Sequence, residues 1–138
     1  MSPELADQLY AKYPDLFPDK VGFWCGDGWF KLIDDLLAKI DLIRRTTQGE
    51  IIIGCVKEKL ATIRVYFSTK FPKEISDRDR ELWWGILWDL ECQAMDRSST
   101  ICEETGQFGE VCSKVGCLKT LCPEKAKELG FESRKVQS

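Results

Sequence analysis

The 138-residue sequence contains no histidine. That removes the commonest general base, the usual imidazole ligand of zinc and every His-assisted nucleophile in one observation. Long apolar runs are also missing: no stretch approaches the ~20 residues a membrane-spanning helix needs. The N-terminus lacks the basic and apolar regions of a secretory signal, so the expectation is a cytoplasmic chain without membrane contact. Strong charge is absent too. The formal charge is −3, with six Lys or Arg against four Asp or Glu in residues 105 to 138 (+2) and therefore −5 in residues 1 to 104. Such a balance is too mild for a mimic of nucleic acid and too acidic for a dedicated binder of it. No phosphate-binding loop, repeat or low-complexity stretch divides the chain.

What is present is a 43% hydrophobic fraction, enough for the core of one domain, and seven cysteines,. An odd number of thiols in a reducing compartment argues against a disulfide framework. Cys25 lies near a helix start, where a thiolate could form, but a small buried turn residue is the ordinary role of such a cysteine. Asp27 is the expected N-cap of a helix. Asp34 and Asp35 could serve a hard cation or an acid/base pair, against the plainer reading of solvated helix acids.

Helical periodicity places a first helix after Ser2 and Pro3, carrying Leu5, Leu9 and Tyr13 and stopped by Pro14. A second carries Trp29, Ile33, Leu36, Leu37 and Ile40. Residues 50 to 57 and 62 to 67 read as the strands of a hairpin, with Ile63, Val65 and Phe67 on its core face. Arg64 and Tyr66 fall on the other face near Lys57 and Lys59, which could offer stacking and charge to nucleic acid or simply face water. Ser76 should cap a third helix running from Asp77 to about Asp96. Its Leu82, Trp83, Ile86, Leu87, Leu90 and Ala94 read as one core face. Trp84, Trp88 and Met95 make a second stripe beside Glu91. That stripe is either further core or, if exposed, a partner or self-association site.

From Ile101 to Phe131 the order is knuckle, hairpin, helix. Cys102 and Cys122 begin two half-knuckles whose partners at the x-x spacing are Thr105 and Lys125, neither a good zinc ligand. Val111-Cys112 and Cys117-Leu118 flank a four-residue hairpin loop, so Cys112 and Cys117 should face each other across the strands and make poor substitute ligands. Pro123 opens a last helix that Gly130 ends. The fold expected is α+β: three helices, a short antiparallel hairpin and a C-terminal treble-clef-like knuckle, hairpin and helix. One domain spans residues 1–131, with the finger-like subregion at 101–131 and a frayed tail at 132–138.

Cys102-Glu103 with Gly106 and Gly109, then Leu118-Lys119-Thr120-Leu121-Cys122, resembles the C-terminal end of a family of small uncharacterised phage and prophage proteins. Its pattern runs C-E-x-C-G, a G-G-W turn, then T-L-C-x-x-H or T-L-C-x-x-C. Cys25-Gly26-Asp27-Gly28-Trp29-Phe30 with Leu32-Ile33-Asp34, and Val56-Lys57-Glu58-Lys59 followed by Ile63-Arg64 and Tyr66, agree with it, so the resemblance spans residues 22 to 125. Departures fall at Thr105, at Lys125, at Cys117 where tryptophan is usual, and at Leu60-Ala61 in place of Phe-Gly. The resemblance implies a phage-type origin and the cytoplasm of a bacterial host, and carries no activity with it; together with the small size and the Trp84/Trp88 stripe it leads to the expectation of a protein acting by contact on a host or defence protein, as an anti-CRISPR-like or other anti-defence inhibitor does. The alternative is a degenerate zinc-finger module for nucleic acid. An enzyme ranks last, and stoichiometric zinc is not expected.

Overall fold

The computed structural model describes residues 1–134 and is an α+β structure with four helices and two small sheets. Helix α1 (Pro3–Lys12) starts where Ser2 Oγ accepts from the Leu5 amide and proline fills the first turn,. A two-residue strand β1 (Phe23–Trp24) follows an irregular segment. Helix α2 (Phe30–Thr47) is preceded by a 3-10 turn at Asp27–Trp29. Asp27 therefore does not cap the α-helix as expected. Its carboxylate instead accepts from the Ser2 amide at 2.6 Å, tying the start of α1 to this turn. Trp29, Leu32, Ile33, Leu36, Leu37 and Ile40 are all buried, as the 3.6 periodicity requires,.

Strands β2 (Glu50–Lys59) and β3 (Thr62–Lys70) form the expected hairpin, longer than its apolar runs, and β1 adds to it in parallel, so the order is β1-β2-β3. The hairpin turn is Leu60-Ala61, both with φ above +50°, a conformation that favours glycine,. Ala61 stays there with its amide bound to Glu58 and its carbonyl to the Thr120 hydroxyl. Helix α3 (Asp77–Ser98) starts at Ser76, whose Oγ accepts from the Asp79 amide. It lies beside α2 and against β3.

The wide core face expected of α3 is not what forms. Leu87 and Ala94 are buried, Trp83 and Leu90 are half-buried, but Leu82 (57% exposed) and Ile86 (43%) face water. The residues of α3 that are fully buried form a narrow seam, Leu87, Ala94 and Ser98, with Trp83, Leu90 and Met95 packed partly buried beside it. At 100° per residue Ile86 has already turned away from that seam. Leu87→Ala should therefore cost about 2–5 kcal/mol and Ile86→Ala less than about 1 kcal/mol in urea unfolding. Equal losses would mean the seam is misplaced.

In the C-terminal part, residues 101 to 134, termed the finger only as a label, β4 (Glu110–Lys114) and β5 (Cys117–Leu121) are joined by Val115-Gly116, a two-residue turn with Gly116 at φ +74° rather than a four-residue loop. Helix α4 (Pro123–Leu129) follows and ends on left-handed Gly130. The expected hairpin and the helix after it are both present. The tail expected to fray from Glu132 instead begins with strand β6 (Glu132–Ser133), paired with β4. Residues 135 to 138 of that tail lie outside the described residues.

Besides the bond from the Thr120 hydroxyl to the Ala61 carbonyl, finger and body meet at a joint around Glu103. Gly28 donates to the Glu103 carbonyl at 2.7 Å, Gly26 donates to Glu103 Oε2 at 3.1 Å, and Glu103 Oε1 accepts from Lys119 Nζ at 2.9 Å. Glu103 is buried, so this charge is held by a paired ammonium and an amide rather than by water,. Trp29 Nε1 donates across the same joint to the Ile101 carbonyl at 2.8 Å.

Candidate protein-contact groove

The seam geometry decides where the tryptophans go. Trp84 and Trp88 lie three residues before and one after Leu87, and Glu91 four after it, so all three share one flank of α3. Leu90 takes the opposite flank, against Leu32 and Leu36 of α2, where Arg97 also pairs with Asp35 at 3.4 Å. The Trp84/Trp88 flank faces β3, the edge strand of its sheet. Between them opens a cavity of about 590 Å³. Val65, Tyr66 and Phe67 form its strand wall, and Trp84, Leu87, Trp88 and Glu91 its helix wall. Gly85 adds to the opening, because a Cβ placed on it would meet nothing within 4 Å.

The expected site residues thus divide. Tyr66, Trp84 and Trp88 come together around this groove at 48%, 43% and 67% exposure, so the tryptophans are not core. Trp84 is steadied by an edge-to-face contact with Phe71, centroids 6.1 Å apart,. Met95 does not continue the ridge: it packs partly buried against the core, and Arg64 Nη1 points at its sulfur at 3.8 Å. Arg64 is accordingly turned toward α3 rather than held out from the sheet, and its Nε is buried without a partner. Tyr66 carries Lys57 Nζ 5.2 Å from its ring centroid,. Burial raises the pKa of Glu91 above the usual carboxylate range, opposed by the nearby Arg64 charge,. The sequence placed Glu91 beside the tryptophan stripe but missed Val65 and Phe67 as groove residues. These two are core-face positions of a strand, and only the pairing order reveals that β3 is an edge.

The cysteines form a separate, closed cluster. Cys102, Cys112 and Cys122 are all buried with Leu121 and Ala126. Cys112 does not face Cys117 across the hairpin: the register pairs Cys112 with Lys119 and Lys114 with Cys117, which leaves Cys117 exposed. Alternation along β4 then turns Cys112 inward, beside the other two thiols. The Thr105 hydroxyl donates to Cys122 Sγ at 3.7 Å, and Cys102 and Cys122 belong to the same buried cluster. Burial raises the Cys102 pKa, but the Thr105 hydroxyl and the amides of Cys122, Thr105 and Glu104 more than offset it, leaving it lowered,. Zinc does not fit this donor set. A hydroxyl and the Glu128-paired ammonium of Lys125 stand where ligands would be needed, and no group of three or more Cys, Asp or Glu among the described residues is arranged to hold a metal,. At Cys25, burial pushes the thiol up to about 12, so it stays protonated at neutral pH and is a poor nucleophile,.

Comparison with protein-family models, curated proteins and solved structures returns no match. Among the described residues no helix is long and apolar enough to cross a membrane.

Proposed function

We propose that the protein is a non-enzymatic, phage-type binding protein that works by protein-protein contact through the groove between β3 and α3. One observation carries this reading. Tyr66, Trp84 and Trp88 are exposed together around an open apolar cavity on a helix with only one buried seam. Large aromatics concentrated at one concave site are characteristic of interface centres, and contiguous apolar surface is rare where nothing binds. The resemblance to phage and prophage proteins is the support for a host or defence protein as the target. Less supports the nucleic-acid alternative: Lys57 already lies over the Tyr66 ring and Arg64 is directed at Met95, so neither offers a free stacking or phosphate-binding group,.

The Trp84→Ala, Trp88→Ala double variant should keep its far-ultraviolet dichroism and cooperative melting while losing association with a protein captured by the wild type from bacterial lysate. A folded variant with unchanged capture would sink the reading. A salt-sensitive shift of labelled nucleic acid by the wild type would favour the alternative.

A further inference from the structure

We propose that the groove receives an arginine side chain of the partner protein, its guanidinium laid on the Trp88 indole and bonded to the Glu91 carboxylate. The proposal rests on the reading of the groove as a protein-contact surface and names what the partner inserts there.

An unpaired carboxylate supplies the first argument. Glu91 is the only charged residue lining the groove, whose walls are otherwise apolar and aromatic side chains and Gly85. It is half-buried, and among the described residues no hydrogen bond or ion pair engages it. Arg64 is near enough to favour its ionised form, but the Arg64 guanidinium is directed at Met95 Sδ at 3.8 Å and makes no ion pair with it. Other acids drawn out of water have their donors. Glu103 holds Lys119 Nζ and the Gly26 amide, and Asp34 holds Lys12 Nζ and the Tyr13 hydroxyl. A carboxylate that has left water without gaining a donor carries an uncompensated cost, which a donor on a ligand removes.

The helix wall selects the kind of donor. Asp77, Glu81, Trp84, Trp88 and Glu91 follow one another at alternating spacings of four and three residues, so they share one flank of α3,. No Lys or Arg stands among them at that spacing, and Arg80 beside them is held by Asp77 at 2.8 Å. This flank therefore draws a cation and repels an anion. On the strand side Lys57 Nζ lies 5.2 Å from the Tyr66 ring centroid, a cation that this surface already holds by its aromatic face,. Two features favour a guanidinium over an ammonium. Trp88 is 67% exposed and in no ring contact among the described residues, whereas Trp84 leans on Phe71, so the Trp88 indole is free to take a planar cation,. Trp88 and Glu91 are three residues apart and neighbours on the helix surface, so a guanidinium lying on the first can turn its forked edge to the second. An ammonium is more strongly hydrated and would give up more water to enter the same site. A cavity of about 590 Å³ lies among those that enclose small ligands, about 300–1,000 Å³, so it has room for the arginine stem and an apolar residue beside it,.

The test uses the full chain and a defined probe, the acetylated and amidated peptide Ala-Leu-Arg-Leu-Ala, beside the same peptide with citrulline in place of arginine. Citrulline keeps the shape of the side chain and loses its charge. On titration with the arginine peptide the indole N–H resonances of Trp84 and Trp88 should shift, and the citrulline peptide should bind at least about tenfold more weakly. Glu91→Gln removes the charge and no partner within the chain, so it should keep the wild-type dichroism and lower arginine binding to the level of the citrulline peptide. A citrulline or lysine peptide that binds as tightly as the arginine peptide overturns the proposal, as does undiminished arginine binding by Glu91→Gln or the absence of any indole shift. Lysate capture that is lost in the Trp84→Ala, Trp88→Ala variant but kept in Glu91→Gln defeats the arginine anchor alone and leaves the groove as a contact surface. Capture unchanged in both variants defeats the reading of the groove as well.

Discussion

Gly28→Ala should force open the joint around Glu103 and cost about 3 kcal/mol or more. A methyl at this position would overlap the Cys102 carbonyl oxygen and stand 2.5 Å from the Gly106 nitrogen. Both obstacles are backbone, so no side chain can swing aside, and relief requires separating the two loops. Separation breaks the Gly28 bond to the Glu103 carbonyl and the Gly26 bond to the Glu103 carboxylate, leaving a buried charge short of a donor,. Urea unfolding should show the loss, and thiol reagents should reach Cys102 and Cys122 faster than in the wild type. Gly85→Ala is the matching control. With open space around the new methyl, it should be neutral or stabilise α3 by about 0.5–1 kcal/mol,. A loss below about 1 kcal/mol at Gly28 would mean the joint is not a steric lock.

Trp29→Ala should be at least as damaging, at about 3–5 kcal/mol. Trp29 is wholly buried, and its indole fills the space between α2 and the joint while its N–H holds the Ile101 carbonyl. Trp29→Phe separates the two contributions: it keeps most of the volume and loses the hydrogen bond, so it should cost roughly 1–3 kcal/mol. Because Trp24, Trp84 and Trp88 are exposed, loss of the buried indole should also shift the mean tryptophan emission to longer wavelength. Equal losses for Ala and Phe would assign the whole effect to the Ile101 contact.

The sequence revealed elements whose causes are local. Ser2 with Pro3, Ser76 with Asp79, and Gly130 mark helix ends through hydrogen bonds or φ angles made within a few residues, and each stands where it was expected. Alternation in residues 62 to 67 likewise assigned Ile63 and Val65 to the core. Features with distant causes were hidden. Phe23–Trp24 becomes a strand only because β2 offers an edge, and Glu132–Ser133 only because β4 does. On α3, nearly every face carries large apolar residues, so periodicity could not choose between the Leu82/Ile86 side and the Leu87/Ala94 seam. The packing of α2 and β3 made that choice. The cysteine cluster misled for a related reason: a four-residue loop turned Cys112 toward Cys117, whereas the two-residue Val115-Gly116 turn shifts the register and sends it inward.

The joint between Gly26, Gly28 and Glu103 also sets a timetable. Its halves are 77 residues apart in the chain. At the usual pace of synthesis, about 5–20 residues per second, the first half emerges about 4–15 s before the second exists. Throughout that interval the Trp29 indole has no Ile101 carbonyl to bind and no finger to shelter beside. Its neighbours on α2 can collapse onto β2 and β3 meanwhile, but closure of the domain waits for the last third of the chain. A chain cut short before residue 101 and released would therefore carry its helices and first sheet with its most buried tryptophan uncovered on one side, a species for chaperones and proteases to find,.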